Sequence, residues 1–408
     1  MNVLHVNNVD LQGRRFNGYD LMREMASRGV SGKQAVVTKL SDDPSVVGLL
    51  DQPGDIRLHG AIAAVEMRHS ISNLLFPWGK ILAQTAAFRE ADVVHYHLVH
   101  NNVISLLDLA MLFELKPSVW TFHDPWPMTG HCVGTQQCDR WLTGCSDCPH
   151  PDVPFAMVDD RADRMWKVKE AILRDVDPDV VVTSPRMRDM VRRSPLTSHL
   201  DKVHLVPFGI DSSVFLSDDR KLESRQALGI PEDDFVVLFR STRTEFKGLP
   251  FIVEAMGLRP PSSPTTLLTI DGIGLVDDLS DDYNLVELGW VDDETLYPLV
   301  YSACDMLLMP STAEAFGLMA LEAMAAGRPV VCFEGTSLPD TTHAPDCGIA
   351  VPLGDTAALR EAVDSLRDPL EATRRGMLGR ELAERQYSLD GYLDALADVY
   401  RTALDRSR

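Results

Sequence analysis

Residues 306–331 read MLLMPSTAEAFGLMALEAMAAGRPVV, and this stretch decides the fold prediction. It begins with a short apolar run that ends at Pro310, as a buried strand does. A loop follows over residues 311–316, and an apolar helix is predicted over residues 317–326, with Gly327 as its C-cap. Strand, loop and helix in this order are the repeating unit of a parallel α/β sheet.

The same alternation continues on both sides of this stretch. Apolar runs begin at residues 3, 34, 92, 118, 180 and 203 in the first half, and at residues 235, 267, 285, 306, 329 and 348 in the second. One sheet of that many strands would exceed the usual size, so we predict two doubly wound parallel-sheet domains of the α/β class that face each other across a cleft. The predicted domains are residues 1–207 and 208–385, and a C-terminal helix over residues 386–408 is expected to pack back on the first.

Charge and composition exclude several classes of function. The 408 residues carry 39 Lys and Arg against 60 Asp and Glu, a formal net charge of −21, so no basic face for nucleic acid is expected. No apolar run reaches the roughly 18 residues that span a bilayer. The segment 185–193 (PRMRDMVRR) is locally basic, which leaves peripheral membrane contact open. The N-terminus lacks the pattern of a secretion signal, so we predict a cytoplasmic protein of undetermined oligomeric state.

Two carboxylates in the opening stretch are the first candidates for a binding site. A carboxylate accepts two hydroxyl donors at once, which suits Glu322 to a ribose diol and Glu314 to a hexose. A solvated position for Glu322 is the alternative, but its apolar neighbours in the helix disfavour it. Three amides at the predicted helix N-terminus suit an anionic oxygen or a sugar hydroxyl; they belong to Phe316, Gly317 and Leu318.

The stretch from Glu314 to Val331 resembles the E-x7-E signature of retaining family-4 glycosyltransferases of the GT-B fold. The resemblance implies that Glu322 binds the nucleotide ribose and Glu314 the donor sugar. It also implies a nucleoside-diphosphate sugar as co-substrate, with UDP or GDP as the nucleotide, and no catalytic cofactor. The amides of residues 316–318 would contact the sugar or the diphosphate.

Further segments extend this resemblance over most of the chain. VHLVPFGIDSSVF (203–215) is similar to the family's entry into the second domain, with Phe208 in place of the usual Asn. FRSTRTEFKG (239–248) resembles the segment whose Arg and Lys neutralise the donor diphosphate, which implies Lys247 together with Arg243 or Arg240. The turns beside the base and the glycine-containing loop of the first domain add further candidates for donor binding: Gly272, Trp290, Asn17 and Gly18.

A histidine and cysteine segment lies between residues 121 and 150. His123 follows a predicted strand and resembles the family's histidine beside the transferred sugar, and Asp124, Trp126 and His97 are assigned to the acceptor side. The pattern H-D-x-W-x-x-T-G-x-C resembles a subgroup that acts in polysaccharide and secondary-metabolite assembly.

The same segment holds four closely spaced cysteines. Cys132, Cys138, Cys145 and Cys148 could bind one structural Zn²⁺ tetrahedrally, and four thiolates would leave no open position for catalysis. Disulfides and unliganded thiols are the alternatives.

These features predict a retaining hexosyltransferase. The hydroxyl acceptor would be a polysaccharide, glycolipid or secondary-metabolite intermediate. In the predicted mechanism His123 and Glu314 position the sugar, while Lys247 and Arg243 stabilise the departing diphosphate. The alternatives are a nucleotide-sugar epimerase of the same fold and a non-catalytic nucleotide-sugar-binding protein.

Overall fold

The computed structural model describes residues 1–50, 52–151, 157–215 and 220–406. The chain divides into two compact units, one formed by Met1–Pro207 with Tyr392–Arg408 and the other by Phe208–Gly391. The chain returns to the first unit six residues later than the predicted residue 386. Among the described residues, none of the helices is both long and apolar enough to cross a membrane.

The first unit is built on a parallel sheet of seven strands in the order β3-β2-β1-β4-β5-β6-β7. The strands are β1 (Asn2–Val9), β2 (Ser31–Thr38), β3 (Val46–Gly48), β4 (Val93–Tyr96), β5 (Ser118–Thr121), β6 (Asp179–Val182) and β7 (Val203–Leu205). The helices are α1 (Tyr19–Glu24), α2 (Pro53–Arg68), α3 (Trp78–Gln84), α4 (Ala86–Glu90), α5 (Leu109–Leu115), α6 (Ala162–Leu173), α7 (Pro185–Arg193) and α15 (Leu389–Arg406), the last of which joins this unit from Tyr392 onward. The sequence predicted every strand of this sheet except β3.

The second unit is built on a parallel sheet of six strands in the order β10-β9-β8-β11-β12-β13. The strands are β8 (Phe235–Ser241), β9 (Thr265–Asp271), β10 (Asn284–Glu287), β11 (Met306–Met309), β12 (Val330–Phe333) and β13 (Ile349–Val351). The helices are α8 (Lys221–Leu228), α9 (Leu249–Gly257), α10 (Leu296–Ala303), α11 (Leu318–Ala325), α12 (Leu338–Thr341), α13 (Thr356–Ser365) and α14 (Pro369–Gln386). All six strands lie where the apolar runs predicted them, because a parallel sheet covered on both faces needs continuously apolar strands.

Each sheet has one point where the order of its strands reverses. In the first unit the chain builds outward from β1 to β3 and then returns to place β4 on the other side of β1. In the second unit it builds outward from β8 to β10 and then places β11 beside β8. At such a switch point the loops that leave the two central strands diverge, and the carboxyl ends of those strands become accessible to ligands.

Candidate functional site

An ion pair lies at the switch point of the second sheet. Lys247 belongs to a short 3₁₀ turn after β8, and Glu314 lies in the loop after β11. The Lys247 Nζ atom donates to Glu314 Oε2 at 2.8 Å, and both side chains keep a small exposed fraction, 20% and 14%. The structure therefore brings together the two charged residues that the sequence assigned to the diphosphate and to the sugar.

Backbone packing places these two loops against each other. Gly248, directly after Lys247, has a φ of +83°, and a Cβ at this position would lie 2.0 Å from the carbonyl oxygen of Pro310. The amide of Thr312 also donates to the Phe246 carbonyl at 2.9 Å. A side chain at residue 248 would push the loops apart, so glycine is required for the Lys247 and Glu314 contact.

The loop of Glu314 leads into the N-terminus of α11. Gly317 caps this helix with a φ of +98°, and a Cβ there would lie 2.4 Å from Leu338 Cδ2. The Phe316 carbonyl accepts from Thr341 Oγ1 at 2.7 Å, so the chain after β12 braces this loop. The amides that begin α11 are thus held beside Glu314, where a helix N-terminus favours an anionic oxygen.

The replacement of Asn by Phe at residue 208 has a packing explanation. Phe208 and Phe316 are buried, and their rings meet edge to face with centroids 5.4 Å apart. Phe316 is therefore anchored by an aromatic contact within this unit, which adds stability beyond the buried area.

Glu322 lies one turn into α11 and is only 3% exposed. Its Oε2 atom accepts hydrogen bonds from two tyrosine hydroxyls of α10, Tyr297 at 2.8 Å and Tyr301 at 2.6 Å. Burial and the neighbouring carboxylate raise the pKa of Tyr301 well above its usual value, so this hydroxyl remains a donor. Neither tyrosine was predicted from the sequence. Their spacing of four residues, which places them on one helix face, was the available signal.

The remaining donor candidates of this unit lie around β8, β9 and β10. Arg240 donates through Nε to Asp271 at 2.8 Å, and Arg243 is exposed in the loop after β8. A Cβ on Gly272 would lie 2.6 Å from the Ser241 carbonyl, so glycine permits the close approach of the two loops. Trp290 follows β10 and is 64% exposed. Of the two arginines, Arg243 is thus the one placed in the same loop as Lys247.

In the first unit, Asn17 organises the loop after β1. The residue is fully buried, and its Nδ2 atom donates to the carbonyls of Val9 and Asp10 at 2.8 and 2.6 Å. Its Oδ1 accepts from the Tyr19 amide at 3.0 Å. These bonds hold the loop after β1 in place, and donor binding at Asn17 stays a prediction.

Four histidines cluster at the switch point of the same sheet. His5 lies on β1, His95 on β4, His97 directly after β4, and His123 after β5. His5 Nδ1 and His97 Nε2 are 3.1 Å apart, and His97 Nδ1 and His123 Nε2 are 2.9 Å apart. Gly18 packs on this cluster with a φ of +97°, and a Cβ there would lie 2.8 Å from His97 Nε2.

Burial keeps these imidazoles neutral. It lowers the pKa of His5 to about 3 and that of His123 to about 4. It also lowers the pKa of His95 and His97 well below the usual value. His97 and His123 were predicted from the sequence, whereas His5 and His95 were not, although a histidine inside an apolar strand run was a visible signal.

The acceptor-side candidates follow His123. Asp124 Oδ2 lies 3.0 Å from His100 Nε2, whereas Trp126 is only 1% exposed. Lys169 donates to the Trp126 and Thr129 carbonyls at 2.7 and 2.9 Å, and its Nζ atom lies 3.4 Å from the Trp126 ring centroid. Burial lowers the pKa of Lys169 to about 7. Trp126 is therefore a buried support of this loop, and contact with an acceptor would require its movement.

The histidine cluster brings possible metal-ligand atoms close together. Within the described residues, His5, His95 and His97 are the one group of possible ligands that brings three ligand atoms within 4.8 Å of one another. The hydrogen bonds between these rings already use nitrogens that a metal would need.

Among the described residues, the cysteine sulfurs do not form such a group, whereas the sulfurs around one tetrahedral zinc lie about 3.8 Å apart for a Zn–S bond of about 2.3 Å. Burial raises the pKa of Cys132 to about 12 and that of Cys145 to about 11, and the Cys145 sulfur accepts from the Gly130 amide at 3.2 Å. Zinc binding by the four cysteines stays a prediction, and it would require their side chains to move closer together.

Comparisons with known proteins agree with this architecture. Residues 19–214 match the family model described as Glycosyltransferase Family 4, and residues 220–375 match the model described as Glycosyl transferases group 1. The chain is a glycosyltransferase with the GT-B fold. This confirms the fold class and the general activity that the sequence predicted.

Relatives of this glycosyltransferase carry the same general name. A D-inositol 3-phosphate glycosyltransferase of Saccharomonospora viridis is 28% identical over 93% of this chain and 87% of its own length. An uncharacterized glycosyltransferase of Methanocaldococcus jannaschii is 35% identical, over 32% of this chain and 36% of its own length.

Solved structures of other proteins have a fold similar to that of this glycosyltransferase. The sucrose-phosphate synthase of Thermosynechococcus elongatus has a TM-score of 0.69 at 20% identity and is covered completely, as is this chain. The Anabaena protein HepE, solved in complex with UDP and glucose, has a TM-score of 0.68 at 17% identity over 98% of this chain and all of that chain.

Proposed function

We propose that this glycosyltransferase transfers a hexose from a UDP- or GDP-sugar to a hydroxyl acceptor with retention of the anomeric configuration. The observation that carries the proposal is the contact between Lys247 and Glu314 at the switch point of the second sheet, beside the N-terminus of α11. Glu322 lies on the same helix with its carboxylate inside the unit.

This arrangement suits the parts of a nucleotide sugar. A departing diphosphate develops negative charge, which Lys247 and the amides that begin α11 would stabilise. Glu314, released from Lys247 when the diphosphate binds, would accept hydrogen bonds from hydroxyls of the sugar, and Glu322 would accept them from the ribose. The exposed Arg243 adds a second cation in the loop of Lys247.

The first unit contributes the acceptor residues in this proposal. His123 and Asp124 follow β5 at the carboxyl edge of its sheet, where ligands of such sheets bind. In the same-face mechanism that the family resemblance implies, the leaving phosphate oxygen takes the proton of the acceptor hydroxyl, so no protein base is needed. HepE, solved with UDP and glucose, and the relative named for D-inositol 3-phosphate support a nucleotide-sugar donor and a polyhydroxyl acceptor.

The test is to follow nucleotide release from UDP-, GDP- and ADP-sugars with and without mixed hydroxyl acceptors. We expect release that depends on the acceptor and falls by about 100-fold in Glu314→Ala, because a misplaced sugar loses orientation. Glu223→Ala is the control, since Glu223 also pairs with a cation, Arg220, but is exposed on α8. Full activity of Glu314→Ala, or failure of every nucleotide to raise the melting temperature, would refute the proposal. Interconversion of the sugar without transfer would favour the epimerase alternative.

A further inference from the structure

Three histidines of the first unit form a continuous hydrogen-bonded chain. His5 Nδ1 is 3.1 Å from His97 Nε2, and His97 Nδ1 is 2.9 Å from His123 Nε2. His5 is fully buried and His97 is 2% exposed, whereas His123 is partly exposed. The chain therefore leads from the interior of the sheet to a residue that a ligand can reach.

The protonation state of the chain restricts how its hydrogens are placed. Because burial lowers the pKa of all three rings, each ring is neutral near pH 7 and carries one N–H and one bare nitrogen. Each of the two hydrogen bonds needs one donor and one acceptor. Only two placements of the hydrogens satisfy both bonds. In one, each histidine donates toward His123, and in the other, each donates toward His5.

The buried end of the chain distinguishes these two arrangements. His5 Nε2 is buried and has no hydrogen-bond partner among the described residues. If the hydrogens point outward, this atom is a bare nitrogen; if they point inward, it is an N–H group. Among buried backbone groups, N–H groups without a partner are rarer than under-satisfied acceptors. The same preference, applied to the imidazole nitrogens, favours the outward direction.

We propose that His5 and His97 are positioning residues that hold His123 in the Nδ1–H tautomer, so that this ring carries an N–H group, and not a bare nitrogen, at Nδ1. In this arrangement His5 Nδ1–H donates to His97 Nε2, and His97 Nδ1–H donates to His123 Nε2. Nε2 of His123 is thereby engaged as an acceptor, and this ring cannot act as a general base through Nδ1. The ligand chemistry that fits is an acceptor oxygen, such as a sugar hydroxyl.

Neighbouring groups keep the chain in place. Gly18 leaves no room for a side chain beside His97 Nε2, and the Phe16 ring lies 5.6 Å from that of His123. The His95 ring lies against that of His97, with centroids 4.1 Å apart and the planes tilted by 33°, but its own nitrogens bond to Tyr400 and Thr121 at 2.7 Å each. His95 is thus part of the cluster without being part of the chain, which makes it a matched control.

The direct test is ¹⁵N NMR of histidine-labelled protein, with the His123 signals assigned by their loss in His123→Gln. We expect the wild-type protein to carry the His123 hydrogen on Nδ1. His5→Leu removes the first donor and should give a mixture of His123 tautomers, whereas His5→Asn, which retains an N–H donor near the Nδ1 position, should restore the single tautomer. His95→Gln should leave the His123 tautomer unchanged.

A kinetic measurement shows how the His123 tautomer affects turnover, and this part alone rests on the proposed function. Loss of one oriented hydrogen bond should lower kcat/KM for the sugar donor by about tenfold in His5→Leu, with rescue to within roughly twofold in His5→Asn. A wild-type His123 that carries its hydrogen on Nε2, or a single unchanged tautomer in His5→Leu, would overturn the proposal.

If His5→Leu does not fold, the wild-type tautomer and His97→Gln still decide the outcome. A protein with the expected tautomer but without transfer of any sugar would refute the proposed function and leave the histidine chain intact.

Discussion

The switch points of the two sheets have the same topology, but one carries charged side chains and the other carries neutral ones. In the second unit the loops after β8 and β11 carry an ion pair, Lys247 with Glu314, that keeps some exposure to solvent. In the first unit the corresponding strands β1 and β4 bring together His5 and His97, which are buried and hydrogen-bonded to each other. One site thus uses fixed opposite charges, and the other uses neutral dipoles.

Burial explains the difference. A charged group that loses its hydration must be paired or must lose its charge. Lysine and carboxylate pairs remain charged at neutral pH, so their place is at a partly hydrated loop, ready to exchange partners with a charged ligand. Imidazoles become neutral when buried, so they can lie inside the sheet and transmit orientation through hydrogen bonds. The comparison assigns charge stabilisation to the second unit and orientation to the first.

The largest expected effect comes from removing the cation of the second unit. Lys247→Met should lower kcat/KM by about 10² to 10³-fold, because the departing diphosphate loses a preorganised positive charge. The measurement is steady-state transfer with the sugar donor varied, together with isothermal titration of the nucleoside diphosphate.

A matched lysine shows whether this loss is specific. Lys33 also pairs with a glutamate, Glu90, at 2.8 Å, but in the first unit and with both side chains exposed. Lys33→Met should change kcat/KM by less than about twofold, as expected for a surface ion pair. Equal losses in the two variants would contradict the assignment of charge stabilisation to the second unit.

An intermediate effect is expected from mild acid, and it should appear in the first unit. The pKa of His5 is about 3 in the folded protein, against about 6.5 in an unfolded chain, and those of His95 and His97 are lowered as well. Between these values the unfolded chain binds more protons, so the free energy of unfolding falls as pH decreases below about 6.5, by up to ~1.4 kcal/mol per pH unit for each histidine. Lys169, whose pKa is lowered from 10.5 to about 7, acts in the same direction as pH decreases from about 10.5 to about 7.

Hydrogen exchange at pH 7.5 and pH 5.5, corrected for the intrinsic rates, measures this prediction for each unit separately. Peptides from β1 and β4 should lose protection at the lower pH, while those from β8 and β11 should keep it. His95→Gln should reduce the pH dependence because one titrating imidazole is removed. The same loss of protection in both sheets would show that the buried histidines do not cause it.

The sequence predicted the parts of this molecule that depend on chain order and apolar pattern. Continuous apolar runs identify parallel strands, and strand order places the loops after β8 and β11 side by side, so Lys247 and Glu314 could be named in advance. The direction in which a polar side chain turns depends on tertiary packing instead. The Asn17 side chain donates to loop carbonyls and the Trp126 ring is buried over Lys169, and the sequence pattern indicated neither contact. Their predicted places on the donor and acceptor sides stay predictions.

The smallest expected effect tests the neutral donors within the second unit. Tyr297→Phe removes one of the two hydroxyls that donate to Glu322, which weakens the orientation of the carboxylate proposed to bind the ribose. Ribose binding is the same in the ground state and in the transition state, so the donor KM should rise by about two- to tenfold with little change in kcat.

Tyr283→Phe is the control, since its hydroxyl donates to the Met256 carbonyl in the core, and it should lower the melting temperature without changing KM. A fall in kcat as large as that of Lys247→Met would mean that Glu322 acts on the departing charge, and a lower KM would mean that Tyr297 competes with the ribose for the carboxylate.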